Sequence, residues 1–158
     1  MNKIEKMKKI YEIKKRMTEE HLDCYFKDMK PIMFLDNRVP VYDSTALCCE
    51  GGIKFAALVK ISDNEDDYVI ITDCYYEYLL DEQDRKVVLA HEMGHYYDII
   101  NGLLPEDYLE REIRADSFAA SIYGKQAVLD LLVKFKIFGR EFINVEFDVD
   151  ERIKKINK

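Results

Sequence analysis

The feature that most constrains this chain is the segment His91-Glu92-Met93-Gly94-His95. Histidines four positions apart project from one face of a helix, so both rings can reach a single ion. The apolar run over residues 88–90 places this helix in the interior, where a His-Glu-His cluster without partners is costly. Imidazole binds zinc at about 2.0–2.1 Å, so we expect the two histidines to supply two ligands of a zinc ion.

Glu92 differs from both histidines in its direction from the helix axis. It is offset by about 100° from His91, so it falls outside the two-histidine ligand set. It can instead reach a water at the metal and act as a general base, and the HExxH pattern is a recognised metallopeptidase motif. The competing interpretation is a structural helical protein in which the motif has arisen by accident and no metal is bound.

A catalytic zinc also needs a third protein ligand. We expect Glu112 to be that ligand, because a turn over residues 102–105 allows a second helix to fold back against the first. Glu112 shares one face of this second helix with Ala115 and Ala119, and small residues there allow the two backbones to approach closely. His21 and Glu110 are the alternatives. His21 lies near the end of a highly charged helix, and Glu110 lies off the alanine face.

Asp116 lies one turn beyond Glu112 on the same predicted face. A metal-ligating histidine commonly donates its other ring N–H to a carboxylate, which fixes the orientation of the ring. We therefore expect Asp116 to accept the free N–H of a ligating histidine, with His91 the first choice.

The elements around the motif predict an α+β fold in a single domain, residues 1–158. A helix is predicted over 3–22, short extended segments over 32–35 and 39–42, a β-hairpin over 53–61 and 68–73, and further helices over 83–101, 106–122 and 125–136. Asp148 is predicted to begin a last helix, with Glu151 completing a capping box. We expect the sheet to be small and antiparallel. The strand over 68–73 is either an edge that receives substrate by β-augmentation or part of the core.

Composition excludes several classes of partner. The net charge of −7 argues against direct nucleic-acid binding, which depends on lysine and arginine. No signal peptide is visible and no apolar run approaches the roughly 18 residues that cross a bilayer, so we expect a cytoplasmic protein without membrane contact. The four cysteines lack CxxC spacing and are expected to be reduced and mostly in the core; they are Cys24, Cys48, Cys49 and Cys74. Oligomeric state is left open.

The motif HEMGH, followed after a short loop by EIRADSFAA, resembles the ImmA/IrrE family of metallopeptidases. Members of that family carry an HExxH helix and then an ExxA(N/D)xFAA helix, and the likeness here extends over about residues 68–123. The resemblance implies a zincin-like domain in which the HExxH helix packs on the helices that follow. It also implies a gluzincin-like site, with one zinc ion held by His91, His95 and Glu112, and with Glu92 as the catalytic carboxylate. Asp116 stands where many members have asparagine.

The same resemblance implies a substrate. Members of the family are associated with helix-turn-helix repressors of phages and other mobile elements, so we expect cleavage of a peptide bond in an Xre-like repressor. One alternative is a non-proteolytic module, similar to an anti-repressor or antitoxin, that binds such a protein and keeps the metal for structure. Another is a zinc hydrolase that acts on a small amide.

Overall fold

A computed structural model describes residues 5, 31–32, 38–42, 55–63, 67–141 and 148–158. The chain divides into two compact units, residues 1–79 and 80–158. The expectation of one domain over 1–158 stays a prediction. The predicted first helix (apart from residue 5), His21, and Cys24, Cys48 and Cys49 lie outside the described residues, as does the side chain of Cys74.

The first unit contains a four-stranded sheet in the order β1-β2-β4-β3. Its strands are β1 (Pro31–Ile32), β2 (Val41–Tyr42), β3 (Ala56–Lys60) and β4 (Tyr68–Thr72). The predicted hairpin is confirmed, because β3 and β4 pair antiparallel from Ala56 opposite Thr72 to Lys60 opposite Tyr68. The expectation of a wholly antiparallel sheet is wrong, because β2 and β4 run parallel. These two strands are separated by a long connection that includes β3, so no tight turn forces them to be antiparallel.

β4 lies inside the sheet rather than at its edge. Its backbone is hydrogen-bonded to β2 on one side and to β3 on the other, so the proposed addition of a substrate strand there is wrong. Val69 and Ile71 join a buried apolar cluster with Tyr42 and Ile61. Ile70, which points to the opposite face, is also fully buried. The β-branched run is therefore core.

A short helix, α1 (Cys74–Leu79), follows β4 and is not evident from apolar periodicity because it spans only six residues. Asp73 begins it. The Asp73 carboxylate accepts hydrogen bonds from the backbone N–H of Tyr76, at 3.1 Å, and of Phe55, at 2.8 Å. This buried side chain thus caps α1 and ties it to the start of β3.

The second unit consists of helices joined by short connections. They are α2 (Glu82–Ile100), α3 (Tyr108–Tyr123), α4 (Lys125–Glu141) and α5 (Val149–Ile156). α2 begins at a reciprocal capping box between Asp81 and Asp84. It ends at Ile100 with Asn101 as its C-cap, and Gly102 follows with a φ angle of 68°. The N–H of Leu103 donates to the carbonyl of Asp98 at 2.8 Å, which closes the end of the helix.

The other helices match their predicted positions with two differences. α4 continues to Glu141, beyond the predicted end at residue 136. The predicted capping box of α5 is wrong: Asp148 is its N-cap but adopts a left-handed conformation, with φ 49° and ψ 40°, and its side chain makes no capping hydrogen bond. A capping side chain needs extended backbone at this position to reach the following N–H groups.

α2 is buried on all sides near its middle, since four consecutive residues, 87–90, are buried and four positions cover most of the helix circumference. This confirms that the motif lies on an interior helix. The architecture is α+β with helices predominating, as predicted. Among the helices in the described ranges, none is long and apolar enough to cross a membrane.

Candidate metal centre

The close approach of α2 and α3 sets the geometry of the site. Gly94, inside the HExxH motif, lies against α3: a β-carbon added there would lie 3.0 Å from the Cα of Ala115. Ala115 and Ala119 are both completely buried. The predicted alanine face is therefore the surface on which the two backbones meet, and it allows a short carboxylate side chain on α3 to reach residues of α2.

His91, His95 and Glu112, here called the triad, converge at this contact. The Nε2 atom of His91 lies 2.9 Å from Oε2 of Glu112 and 3.1 Å from Nε2 of His95, and Nε2 of His95 lies 3.4 Å from Oε1 of Glu112. The two imidazole rings stand nearly perpendicular, with an interplanar angle of 88°. One donor atom from each of the three residues therefore points to a common position.

These spacings fit a tetrahedral zinc ion. Two ligand atoms that lie about 2.0–2.1 Å from zinc at a tetrahedral angle are about 3.3 Å apart. The two Nε2 atoms are 3.1 Å apart, and each histidine lies 2.9 or 3.4 Å from one of the two Glu112 oxygens, Oε2 for His91 and Oε1 for His95. All three distances lie within about 0.5 Å of that value. The donor set, two imidazoles and one carboxylate, is one that zinc uses in catalytic sites and leaves the fourth position for water or substrate.

Asp116 contacts the far side of His91. The Nδ1–H of His91 donates to Oδ1 of Asp116 at 2.9 Å, which is the contact expected from the sequence. With Nδ1 protonated, the neutral ring presents the lone pair of Nε2 toward Glu112 and His95. Asp116 thus fixes both the tautomer and the orientation of His91.

Arg152, on α5, is a residue of this cluster that sequence reasoning missed. Its guanidinium is buried and donates to both oxygens of Asp116, from Nε at 2.8 Å and from Nη2 at 2.7 Å. Its Nη1 atom also lies 3.8 Å from Oε2 of Glu112. The one available signal is that Arg152 and Ile156 are four positions apart, which places them on one face of α5.

The charges of this cluster stabilise one another. Burial lowers the pKa of His91, but its hydrogen bonds to Asp116 and Glu112 outweigh burial and raise it to about 9. Burial raises the pKa of Glu112, but hydrogen bonds from both histidines hold it far below the usual range. The pKa of Asp116 is likewise lowered, because the hydrogen bonds from Arg152 and His91 exceed the effect of burial. Without a metal, His91 therefore carries a proton that a zinc ion must displace.

Glu92 and Glu110 differ in their relation to the triad. Glu92 is partly buried and neighbours His91 on α2, yet it does not belong to the triad. Glu110, the alternative third ligand, is exposed, and its backbone N–H is capped by Asp107 at 3.0 Å. The structure thus brings Glu112 rather than Glu110 to the histidines and leaves Glu92 outside the ligand set, as a general base requires.

Tyr108 lies one turn before Glu112 on α3 and is 64% exposed. The pKa of its hydroxyl is raised by burial and, next, by the negative charge of Glu112, while Glu92 acts in the same direction and Arg152 opposes both. The charges of both carboxylates therefore act on the hydroxyl, while the side chain is still accessible from solvent.

Comparison with protein-family models gives no match, and comparisons with curated proteins and with solved structures give none either. The site is accordingly characterised by its own geometry and charge. Two imidazoles and a carboxylate can hold a divalent ion, a neighbouring carboxylate can move a proton, and the exposed Tyr108 can donate a hydrogen bond.

Proposed function

We propose that this chain is a zinc-dependent metallopeptidase of the ImmA/IrrE type that cleaves a protein substrate in the cytoplasm. The observation that carries this proposal is the convergence of the triad, with Asp116 behind His91. This ligand set comes from an HExxH helix and the helix that follows it. One ligand atom from each of these residues lies within 4.8 Å of the other two, which supports binding of a single zinc ion.

Each of these residues has a separate role in the proposed hydrolysis. A zinc ion held by the triad supplies a Lewis acid that makes water more acidic and polarises a carbonyl group. Glu92, next to His91 but outside the ligand set, accepts the proton of the attacking water and later delivers it to the leaving amine. Asp116 keeps His91 in the tautomer that presents Nε2 to the ion.

Among the tyrosines in the described ranges, we propose Tyr108 as the hydrogen-bond donor to negative charge that develops on the substrate oxygen. It lies on the same face of α3 as Glu112, one turn away. The negative charges of Glu112 and Glu92 both raise the pKa of its hydroxyl. Because its side chain is largely exposed, a bound peptide can reach the hydroxyl.

The substrate we propose is a helix-turn-helix repressor of the Xre type, encoded by a phage or mobile element. The support is the resemblance of residues 68–123 to the ImmA/IrrE pattern. The net charge of −7 fits a protein partner rather than a nucleic acid.

Incubation of the zinc-loaded chain with candidate Xre-type repressors tests this function, with mass spectrometry of the products and zinc analysis of the protein. We expect one zinc per chain and new repressor fragments. Glu92→Gln should keep the zinc but reduce cleavage by about 10²-fold or more, because a general base is lost. Glu110→Gln, an exposed glutamate on α3, is the control and should retain both zinc and cleavage.

Two results contradict the proposal. A purified chain that takes up no zinc is not a zinc enzyme. A stable complex with the repressor and no fragments, with or without chelator, supports the alternative of a non-proteolytic binding module.

A further inference from the structure

α5 packs on the rest of its unit through a face that contains one buried arginine, Arg152, and one buried isoleucine, Ile156. Of the residues in α5, only Arg152 and Ile156 are buried, and they share one face of the helix. The polar contacts of Lys136 with Asp150 and of Lys125 with the Lys158 carbonyl are exposed. Exposed ion pairs contribute little, so Arg152 and Ile156 provide most of the specific docking of this helix.

Arg152 connects α5 to the triad through Asp116. Its guanidinium forms two parallel hydrogen bonds with the Asp116 carboxylate, and the same carboxylate accepts from His91. A continuous chain of contacts therefore runs from α5 through α3 to a triad histidine on α2. A two-point arginine–carboxylate pair fixes direction as well as distance, so the plane of the Asp116 carboxylate is set by Arg152.

Two opposing effects of Arg152 on a bound cation have to be weighed. Its positive charge repels a divalent ion, whereas its hydrogen bonds orient the carboxylate that orients His91. The charge of Arg152 is paired at 2.7 Å with Asp116, and its Nη1 atom also faces Glu112 at 3.8 Å. Because the charge is largely neutralised by these two carboxylates, the orienting effect exceeds the repulsion.

From these contacts we infer that α5 is part of the metal centre: Arg152 is a positioning residue whose docking and zinc binding strengthen each other. This inference rests on the proposed zinc site. Outer partners of metal ligands typically account for 10–100-fold in metal affinity. Coupling between two binding events is reciprocal, so zinc must strengthen the docking of α5 by the same factor by which docked Arg152 strengthens zinc binding.

The test uses the unaltered chain and three variants: Arg152→Met, Arg152→Lys and Arg114→Met. Zinc affinity is measured by competition with a chromophoric chelator, and the visible spectrum of the Co²⁺ form reports the ligand geometry. Arg114 is the matched control, because it also forms a two-point pair with an aspartate, Asp98, between α3 and α2 but does not contact the triad.

We expect Arg152→Met to weaken zinc binding by about 10–100-fold and to alter the Co²⁺ spectrum. Arg152→Lys should recover part of the affinity, because it keeps the charge but loses the two-point geometry. Arg114→Met should bind zinc as the unaltered protein does. Hydrogen–deuterium exchange of residues 149–157 should slow when zinc is added to the unaltered protein, and this measurement needs no variant to fold.

The outcomes separate this inference from the proposed function. If the unaltered chain binds zinc, but Arg152→Met binds it equally well or zinc leaves exchange in α5 unchanged, the coupling is refuted and the peptidase proposal stands. If the unaltered chain binds no zinc, both are refuted.

Discussion

Gly94 and Ala115 bring the two ligand-bearing helices so close that a β-carbon on Gly94 would be crowded. It would lie 3.0 Å from the Cα of Ala115 and equally close to the Cβ of Phe118. One of these neighbours is backbone, so side-chain rotation alone does not relieve the contact. A residue larger than glycine has to move α3 by a few tenths of an ångström relative to α2, and Glu112 moves with α3.

Gly94→Ala should therefore destabilise the chain and weaken zinc binding together. Forced overpacking costs about 1–3 kcal/mol, and the better helix propensity of alanine returns at most about 1 kcal/mol. Thermal unfolding and zinc titration measure the two effects. Gly102→Ala is the control: it faces open space at a φ of 68°, so it should lower stability through backbone strain but leave zinc affinity unchanged. Equal zinc affinity in the two variants would contradict the role assigned to Gly94.

Asp116→Asn should be much more damaging than its conservative chemistry suggests. It leaves the buried guanidinium of Arg152 without its anionic partner, and breaking a buried pair typically costs about 3–5 kcal/mol. Urea unfolding measures this loss. Asp98→Asn breaks a similar two-point pair with the partly exposed Arg114 and should cost about 1 kcal/mol or less. If the two variants lose the same free energy of unfolding, burial does not make the Asp116–Arg152 pair contribute more to stability than the Asp98–Arg114 pair.

The pH dependence of the metal-free protein should reveal the proton on His91. The pKa of His91 in the folded chain is about 9, above its ordinary value of 6.5. The protonated ring therefore adds its full contribution to the free energy of unfolding below pH 6.5, and this contribution is lost as pH rises through 9. The loss is on the order of 3 kcal/mol, at 1.36 kcal/mol per unit. Urea unfolding in chelator measures it.

The stabilisation by zinc should have the opposite dependence on pH, because zinc replaces the same proton on His91. The gain in unfolding free energy on adding zinc should grow between pH 6.5 and 9, as fewer protons compete for His91. His91→Ala is the control and should lose both dependences. A flat profile in chelator over this range would show that His91 is not protonated in the folded, metal-free chain.

Tyr108→Phe should separate catalysis from metal binding. Removal of one hydrogen-bond donor to a developing oxyanion typically lowers kcat by about 10²–10³-fold. Zinc content and folding should be unchanged, because Tyr108 does not belong to the triad and its side chain is largely exposed. Tyr78→Phe, at another exposed tyrosine, should leave kcat intact. An unaltered kcat in Tyr108→Phe would assign the oxyanion donor elsewhere.

The triad could be predicted from the sequence because short-range spacing of residues specifies it. Helical spacing alone places His91 and His95 on one face, and the alanines around Glu112 indicate which face of the next helix meets them. Asp116 follows from the same spacing. Each of these inferences needs only two consecutive helices and the turn between them.

Arg152 was not predictable in the same way. It lies in a short helix with Glu151, Lys154 and Lys155, where an arginine is ordinarily a solvated surface residue. Only the packing of α5 on its unit shows that this arginine is buried. The parallel pairing of β2 with β4 could not be predicted for a similar reason. It joins segments that are distant in sequence, and no local signal specifies it.

The order of these parts along the chain has a consequence for synthesis. During translation both histidines and Glu112 are made before Arg152. A chain released before α5 begins therefore contains the whole triad but lacks the guanidinium that orients Asp116.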